Sequence, residues 1–360
     1  MTSPPKDASG AVLFEQRGGL GLVTLNRPRA INALSHDMVV TMHRGLAAWA
    51  ADDRIHAVAI RGSGDRGLCA GGDVAELATL MRTDPTAAAA EAASFFRDEY
   101  RLDRAVARYP KPYVAVMDGI VLGGGVGVSA HGSHRVVTER SKVGMPETGI
   151  GLFPDVGGTW LLSRAPQGVG VLIALTGTPV GAGDAIRAGI ADAFVPSERL
   201  DRLLKLLETR SADDALVEVR AEAPSAALES EAGWTQRLGE ATNAATAIAM
   251  IEAAADAGSD AAAGARDVIA TRSPRSLAVS FEAIRRAADL PDLETALMQE
   301  YRLMLRMVAA PDFAEGVRAQ LIDKDRNPSW TPATLAEVTA DDVDAVFAPL
   351  ADGDLTFAEN

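Results

Sequence analysis

Short apolar runs and longer amphipathic stretches alternate over about the first 200 residues of the chain. Two apolar runs at 11–17 and 20–26 are separated by a pair of glycines, which is typical of a β-hairpin. A helical pattern follows at 35–52, and a short buried strand is predicted at 55–62. Strands that alternate with helices in this way favour an α/β fold.

The same order of elements returns in the next part of the chain. An alanine-rich helix or helix pair is predicted at 74–108, and strands are predicted at 112–120 and 134–140. Helical patterns between 168 and 189 lead to a last short strand at 190–197.

The pattern changes beyond about residue 206, where the periodic stretches are helical and Pro311 predicts a break between two helices. We therefore expect an α/β core at 11–205 and a mostly helical region at 206–350. Residues 1–10 and 351–360 are expected to be disordered, as chain termini often are.

The composition limits the classes of partner. The chain has 360 residues, of which 48% are hydrophobic, with a net charge of −14 and no evident basic patch. This charge disfavours binding to nucleic acid or to an anionic membrane. Cys69 is the single cysteine, which excludes an internal disulfide and fits a reducing compartment. Since the first ten residues lack the apolar core of a signal peptide, a cytoplasmic location is expected.

Two glycine-rich loops each follow a predicted strand and precede a helix. They read CAGGD at 69–73 and GGGVG at 123–127. Glycine lets a backbone N–H approach a ligand closely, and a helix N-terminus adds further unpaired N–H groups. Neither loop is followed by the Gly-Lys-Ser/Thr of a phosphate-binding loop. Two such loops instead favour a pair of donors that converge on one oxygen, as in an oxyanion hole.

The stretch MPETGIGLFPDVGGTW at 145–160 places two carboxylates, Glu147 and Asp155, among apolar neighbours. Burying an unpaired carboxylate is costly, so the two either lie at a wet surface or take part in chemistry. A further interpretation of Asp155 is that it caps the helix that begins near VGGTW. The residues alone leave these interpretations open.

Cys69 adjoins the first loop and is either an acyl-accepting nucleophile or a small buried thiol. No histidine has an evident reason to lie near it, which favours the second interpretation. The five histidines are scattered and match no recognisable metal motif, so no metal site is predicted.

Four segments in order resemble the successive motifs of the crotonase (enoyl-coenzyme A hydratase/isomerase) superfamily. They are RGSGDRGLCAGGDVAEL, GIVLGGGVGVSAHG, MPETGIGLFPDVGGTWLLSR and ALTGTPVGAGDAIRAGIADAFVPS. The resemblance covers about 11–205 and implies an α/β spiral fold of repeated β-β-α units. It also implies an acyl-coenzyme A (acyl-CoA) thioester as substrate and the N–H groups of Gly72 and Gly124 as oxyanion donors. CoA would be part of the substrate, so no separate cofactor is expected.

Within the superfamily, the chain looks most like the branch that hydrolyses 3-hydroxyisobutyryl-CoA in valine breakdown. The segments FFRDEYRLDRAVARYPKPYVAVMDG, QEYRLMLRM and DFAEGVRAQLIDKDRNPSW carry this resemblance to about residue 332. It implies functional roles for Glu99, Gly124, Glu147 and Asp155. Glu147 would attack the carbonyl or activate water, Asp155 would assist, and Glu99 would hold the substrate hydroxyl. The helical region at 206–350 would then cover the acyl pocket.

The resemblance also carries one informative departure. Hydratases have a second catalytic glutamate just after the triple glycine, and this chain has Gly127 there. Hydration uses two carboxylates, so Gly127 argues against it but not against isomerisation. A CoA-binding scaffold without activity is a third alternative. Arg27 and Arg29 fall where crotonases approach CoA, and the sequence does not separate phosphate ligands from ordinary loop charges. Superfamily members are often trimers or hexamers, so a homo-oligomer is a further expectation.

Overall fold

The computed structural model describes residues 10–351 and 353–357. The disorder predicted at residues 1–9, 352 and 358–360 therefore lies outside the described residues. The same prediction is wrong for part of the tail. Asp354 is paired with Arg302 at 2.7 Å, and Leu355 is fully buried. The ion pair ties this segment to α14 (Leu293–Ala309).

Nine strands are present in the described residues: β1 Val12–Arg17, β2 Leu20–Leu25, β3 Ala57–Gly62, β4 Gly67–Cys69, β5 Tyr113–Met117, β6 Ile120–Leu122, β7 His134–Val137, β8 Lys142–Gly144 and β9 Ala193–Phe194.

The α-helices of the described residues are α1 His36–Ala50, α2 Ala75–Thr83, α3 Pro85–Ala107, α4 Gly124–Ala130, α5 Gly158–Ser163, α6 Val169–Thr176, α7 Ala182–Arg187, α8 Leu200–Leu207, α9 Ala212–Val219, α10 Ala232–Thr235, α11 Ala244–Asp256, α12 Asp260–Ile269, α13 Pro274–Ala287, α14 Leu293–Ala309, α15 Pro311–Val317 and α16 Ala340–Phe347.

The described chain divides into two compact units. The first unit comprises the described residues up to Asp73 together with Asp98–Gly144 and Val180–Ala226. The second unit comprises Val74–Arg97, Met145–Pro179 and the described residues from Ala227 onward. Both units draw on separated parts of the sequence, whereas the two domains predicted from the sequence are consecutive. The predicted division at residues 205 and 206 stays a prediction.

The first unit contains all nine strands. Six form one sheet in the order β1-β2-β3-β5-β7-β9, in which β1 and β2 are antiparallel and the other neighbours are parallel. Strands β4, β6 and β8 form a second, parallel sheet. Leu20 and Leu22 share one face of β2, because alternate residues of a strand point the same way. They pack in one buried cluster with Leu203 and Leu207 of α8 and with Leu216 of α9.

The second unit is helical. Leu175 of α6 packs with Ile251 of α11, Ile269 of α12 and Phe281 of α13 in one buried cluster. Polar residues precede several helices of this unit, and each side chain accepts a hydrogen bond from the backbone N–H three positions later. Among these caps are Asn243, Ser259, Ser273, Asp292 and Thr339. Such caps satisfy donors that a helix start leaves unpaired.

The α/β fold expected from the sequence is confirmed. The β-hairpin forms at β1 and β2, Ser35 caps α1, and the helix pair breaks at Asp84. The break at Pro311 separates α14 from α15. The second sheet was not predicted, since each of its strands has only three residues. Within the described part of the chain, no helix combines the length and apolar character needed to cross a membrane.

Candidate active site

The first glycine loop follows β4 in the first unit and is fixed by Leu34. The Leu34 N–H donates to the Gly71 carbonyl at 2.9 Å, and the Asp73 N–H donates to the Leu34 carbonyl at 2.8 Å. These two bonds flank Gly72 on both sides and use neither its N–H nor its carbonyl. The pairing with Leu34 therefore fixes the loop, and the Gly72 N–H points away from Leu34.

The second glycine loop follows β6, which pairs with β4 in the small parallel sheet. Gly123 takes a φ of +50°, a conformation that favours glycine, and α4 begins at Gly124. Parallel neighbours end at the same sheet edge, so the two loops lie side by side. A Cβ added at Gly124 would lie 3.3 Å from the Gly72 nitrogen. The structure therefore brings together the two glycines predicted to donate to one oxygen.

Glu99 of α3 lies next to the second glycine loop, within the first unit. Its side chain is nearly buried, with 2% of the residue exposed. A Cβ added at Gly124 would lie 2.5 Å from Glu99 Oε1, closer than real Cβ atoms come to an oxygen. Glycine at position 124 therefore makes room for the Glu99 carboxylate. A buried acid next to the glycine loops is suited to accepting a hydrogen bond from a small polar ligand.

Cys69 lies under the first loop with no exposed surface. The Gly71 N–H donates to Cys69 Sγ at 3.3 Å. Burial raises the pKa of this thiol to about 12, so the nucleophilic thiolate is scarce at neutral pH. The buried-thiol interpretation fits this site, and the nucleophile interpretation does not.

Arg27 contacts the first loop from the chain segment before α1. Arg27 Nη2 lies 2.8 Å from Asp73 Oδ2, and Arg27 Nη1 donates to the Ala33 carbonyl at 2.6 Å. Arg29, in the 3₁₀ turn Pro28–Ala30, is exposed. Phosphate binding by either arginine stays a prediction.

Glu147 and Asp155 both belong to the second unit and are both nearly buried, at 6% and 5% exposed. Glu147 begins the 3₁₀ turn Glu147–Ile150, whose end at Gly151 has a φ of +77°. A Cβ at Gly151 would lie 2.4 Å from the Asp312 backbone carbonyl, so this turn is packed tightly on α15. The wet-surface interpretation of the two carboxylates is wrong, because their side chains are withdrawn from solvent.

Asp155 precedes a strained turn into α5. Val156 has a φ of +51° and Gly157 has a φ of +77°, and the Gly158 N–H donates to the Asp155 carbonyl at 2.6 Å. A non-glycine residue in the left-handed region costs free energy and is concentrated at functional sites. The cap of α5 is Gly157, with no side-chain cap. The capping interpretation of Asp155 is therefore wrong.

A further acidic residue, Glu300 of α14, was missed from the sequence. It has no exposed surface and accepts hydrogen bonds from the Gly157 N–H at 2.7 Å, the Thr159 N–H at 3.1 Å and the Thr159 hydroxyl. Burial raises the pKa of Glu300 to about 8, the charge of Asp155 adds to this, and the three hydrogen bonds oppose it. The signal was a single acid on the apolar face of α14 formed by Ala296, Leu297, Leu303 and Met304.

Comparison with known proteins places this architecture in a family. The profile described as Enoyl-CoA hydratase/isomerase matches residues 20–347. The chain therefore belongs to the enoyl-CoA hydratase/isomerase, or crotonase, family, whose members act on acyl-CoA substrates.

Curated relatives and solved structures resemble nearly the whole chain. The 3-hydroxyisobutyryl-CoA hydrolase, mitochondrial, of Gallus gallus is 38% identical over 97% of this chain and 91% of the relative. A carnitinyl-CoA dehydratase structure from Mycobacterium thermoresistibile is 49% identical, with a TM-score of 0.91 over 97% of this chain and 99% of the other. An enoyl-CoA hydratase structure from Rhodobacter sphaeroides is 39% identical, with a TM-score of 0.89 over 96% and 100%.

Proposed function

We propose that this protein hydrolyses the thioester of 3-hydroxyisobutyryl-CoA to 3-hydroxyisobutyrate and CoA, a step of valine breakdown. The observation that carries the proposal is the Glu99 carboxylate, buried against the two glycine loops. A buried polar group selects a substrate that carries a matching hydroxyl, because an analogue without the hydroxyl cannot make that hydrogen bond. The likeness to the Gallus gallus hydrolase over most of both chains supports the same substrate.

The proposed chemistry begins at the thioester carbonyl. The N–H groups of Gly72 and Gly124 hold the carbonyl oxygen as negative charge develops on it. In one route Glu147 takes a proton from water while the water oxygen bonds to the carbonyl carbon. In the other route a Glu147 oxygen attacks that carbon itself, and water opens the mixed anhydride afterwards. In the first route the C–S bond then breaks and the CoA sulfur is protonated. In the second route the C–S bond breaks and the CoA sulfur is protonated as the anhydride forms, and the water that opens the anhydride frees the Glu147 carboxylate.

Asp155 and Glu99 assist the proposed reaction. Asp155 orients Glu147, the water or the substrate, and Glu99 accepts a hydrogen bond from the substrate hydroxyl.

A second candidate function is hydration or isomerisation of an enoyl-CoA. The names of the two solved structures, at 49% and 39% identity, favour it. Gly127 argues against hydration, since it lies inside α4 and offers no second carboxylate.

The test is thiol release from 3-hydroxyisobutyryl-CoA by Glu147→Gln and Asp155→Asn. Glu147→Gln keeps the shape of the side chain but removes the base and nucleophile, so kcat should fall roughly 10²–10⁴-fold with KM largely kept. Glu15→Gln is the matched control, because Glu15 is exposed and pairs with Arg17 at the surface. Near-normal thiol release by folded Glu147→Gln would contradict the mechanism, and loss confined to Asp155→Asn would assign the central role to Asp155.

The cytoplasmic location and the homo-oligomer stay predictions. The Gallus gallus relative carries the word mitochondrial in its name. The acyl-CoA substrate class follows from the family.

A further inference from the structure

The side chain of Glu300 contacts the start of α5, within the second unit. It accepts three hydrogen bonds from the turn that follows Asp155. One carboxylate oxygen accepts from the Gly157 N–H, and the other accepts from the N–H and hydroxyl of Thr159. Asp155 is only two residues before Gly157, and the intervening Val156 has a left-handed φ of +51°. The turn that presents Asp155 is therefore anchored to α14 through a single side chain.

Asp155 is the ionisable group that this structure sets beside Glu300. Helix α5 reads GTWLLS and contains no charged residue. On α14, the side chains one turn before and after Glu300 are Ala296, Leu297, Leu303 and Met304, all of them apolar. Like charges close together disfavour simultaneous ionisation, so the charge of Asp155 favours the neutral form of Glu300.

We infer that Glu300 is a positioning residue of the active site, which fixes the turn carrying Asp155. This inference rests on the proposed function only in assigning a catalytic role to Asp155. Glu300 itself acts through the turn and through charge.

The activity test uses Glu300→Gln and the alkaline side of the pH profile. Glutamine keeps one acceptor oxygen but turns an NH₂ group toward a backbone donor, so the turn is held less well. We expect kcat for thiol release to fall roughly 10- to 100-fold with KM nearly unchanged, as for a small misplacement of a catalytic group. The wild type should also lose activity as Glu300 ionises at a pH near 8, and this loss should be absent in Glu300→Gln.

Thr159→Val provides a second variant that keeps the Glu300 side chain. Its hydroxyl bond to Glu300 lowers the pKa of that acid, so its removal should move the alkaline loss of activity to higher pH. If Glu300→Gln does not fold, this shift alone decides the inference. An alkaline loss that persists in Glu300→Gln, or that does not move in Thr159→Val, would overturn it.

A stability measurement separates this inference from the proposed function. An acid whose pKa rises on folding, here from 4.5 to about 8, makes the folded state less stable as pH climbs through that window. The melting temperature of Glu300→Gln relative to wild type should therefore rise from pH 5 to pH 9, whatever the substrate. A flat difference would contradict the inference. A rising difference in a protein that releases no thiol would contradict only the proposed reaction.

Discussion

Gly124→Ala tests the arrangement of the glycine loops with a single methyl group. The added Cβ would lie 2.5 Å from Glu99 Oε1, 3.3 Å from the Gly72 nitrogen and 3.4 Å from Leu34 Cδ1. Only the first of these distances is too short for a real contact. Either the Glu99 carboxylate or the Gly124 backbone must move, and Glu99 is nearly buried.

The expected loss follows from which group moves. If the Gly124 N–H leaves its place, kcat for thiol release should fall about 10²–10³-fold, the usual effect of losing one oxyanion donor. If the Glu99 carboxylate moves instead, KM should rise and the preference for a 3-hydroxyacyl group should weaken. Overpacking should also lower the free energy of unfolding by about 1–3 kcal/mol.

A double-mutant cycle with Glu99→Ala shows whether the collision itself is responsible. Removing the carboxylate makes room for the methyl group, so Gly124→Ala should cost less in the Glu99→Ala background than in the wild type. A coupling of about 0.5–3 kcal/mol is typical of residues in contact. Gly264→Ala is the matched control, because its Cβ meets nothing within 4 Å and it lies in α12. Wild-type kcat and KM in Gly124→Ala, or equal costs in both backgrounds, would refute the reasoning.

Two further predictions follow from packing. Cys69→Ala should keep kcat within a few-fold of wild type. The native Cys69 thiol should not react with a disulfide reagent until the protein unfolds, because burial raises its pKa to about 12. Rapid labelling of the native protein together with loss of activity would contradict this. A fragment ending at residue 205 should not fold, because it loses Leu207 and Leu216 from the buried cluster on β2. It also loses the residues of α11, α12 and α13 that pack on Leu175. A cooperative melting transition with native near-ultraviolet circular dichroism in that fragment would contradict this prediction.

The parts of the fold that were predicted have strong local signals. The hairpin at β1 and β2 has a glycine turn between apolar runs, and α1 has a serine cap before a regular apolar face. The second sheet lacks such a signal, since a strand of three residues is too short to show an alternating pattern. Its pairing depends on contacts between segments far apart in the chain.

The candidate site shows the same division. Glycine loops and a carboxylate among apolar residues are visible locally, and the family resemblance then implies roles for Gly72, Gly124 and Glu147. Glu300 looks like one acid in an ordinary amphipathic helix, and only its packing against Gly157 and Thr159 reveals its surroundings. Leu355 is a similar case, because nothing in a polar tail indicates that one leucine is buried.

The most direct test of the central claim compares thioester hydrolysis with hydration of an enoyl-CoA. The purified full chain is incubated with 3-hydroxyisobutyryl-CoA and, separately, with crotonyl-CoA, while free thiol and enoyl absorbance are followed. We predict steady thiol release from the hydroxyacyl substrate that is lost in Glu147→Gln, and no loss of enoyl absorbance with crotonyl-CoA. Rapid loss of enoyl absorbance without thiol release from 3-hydroxyisobutyryl-CoA would contradict the account.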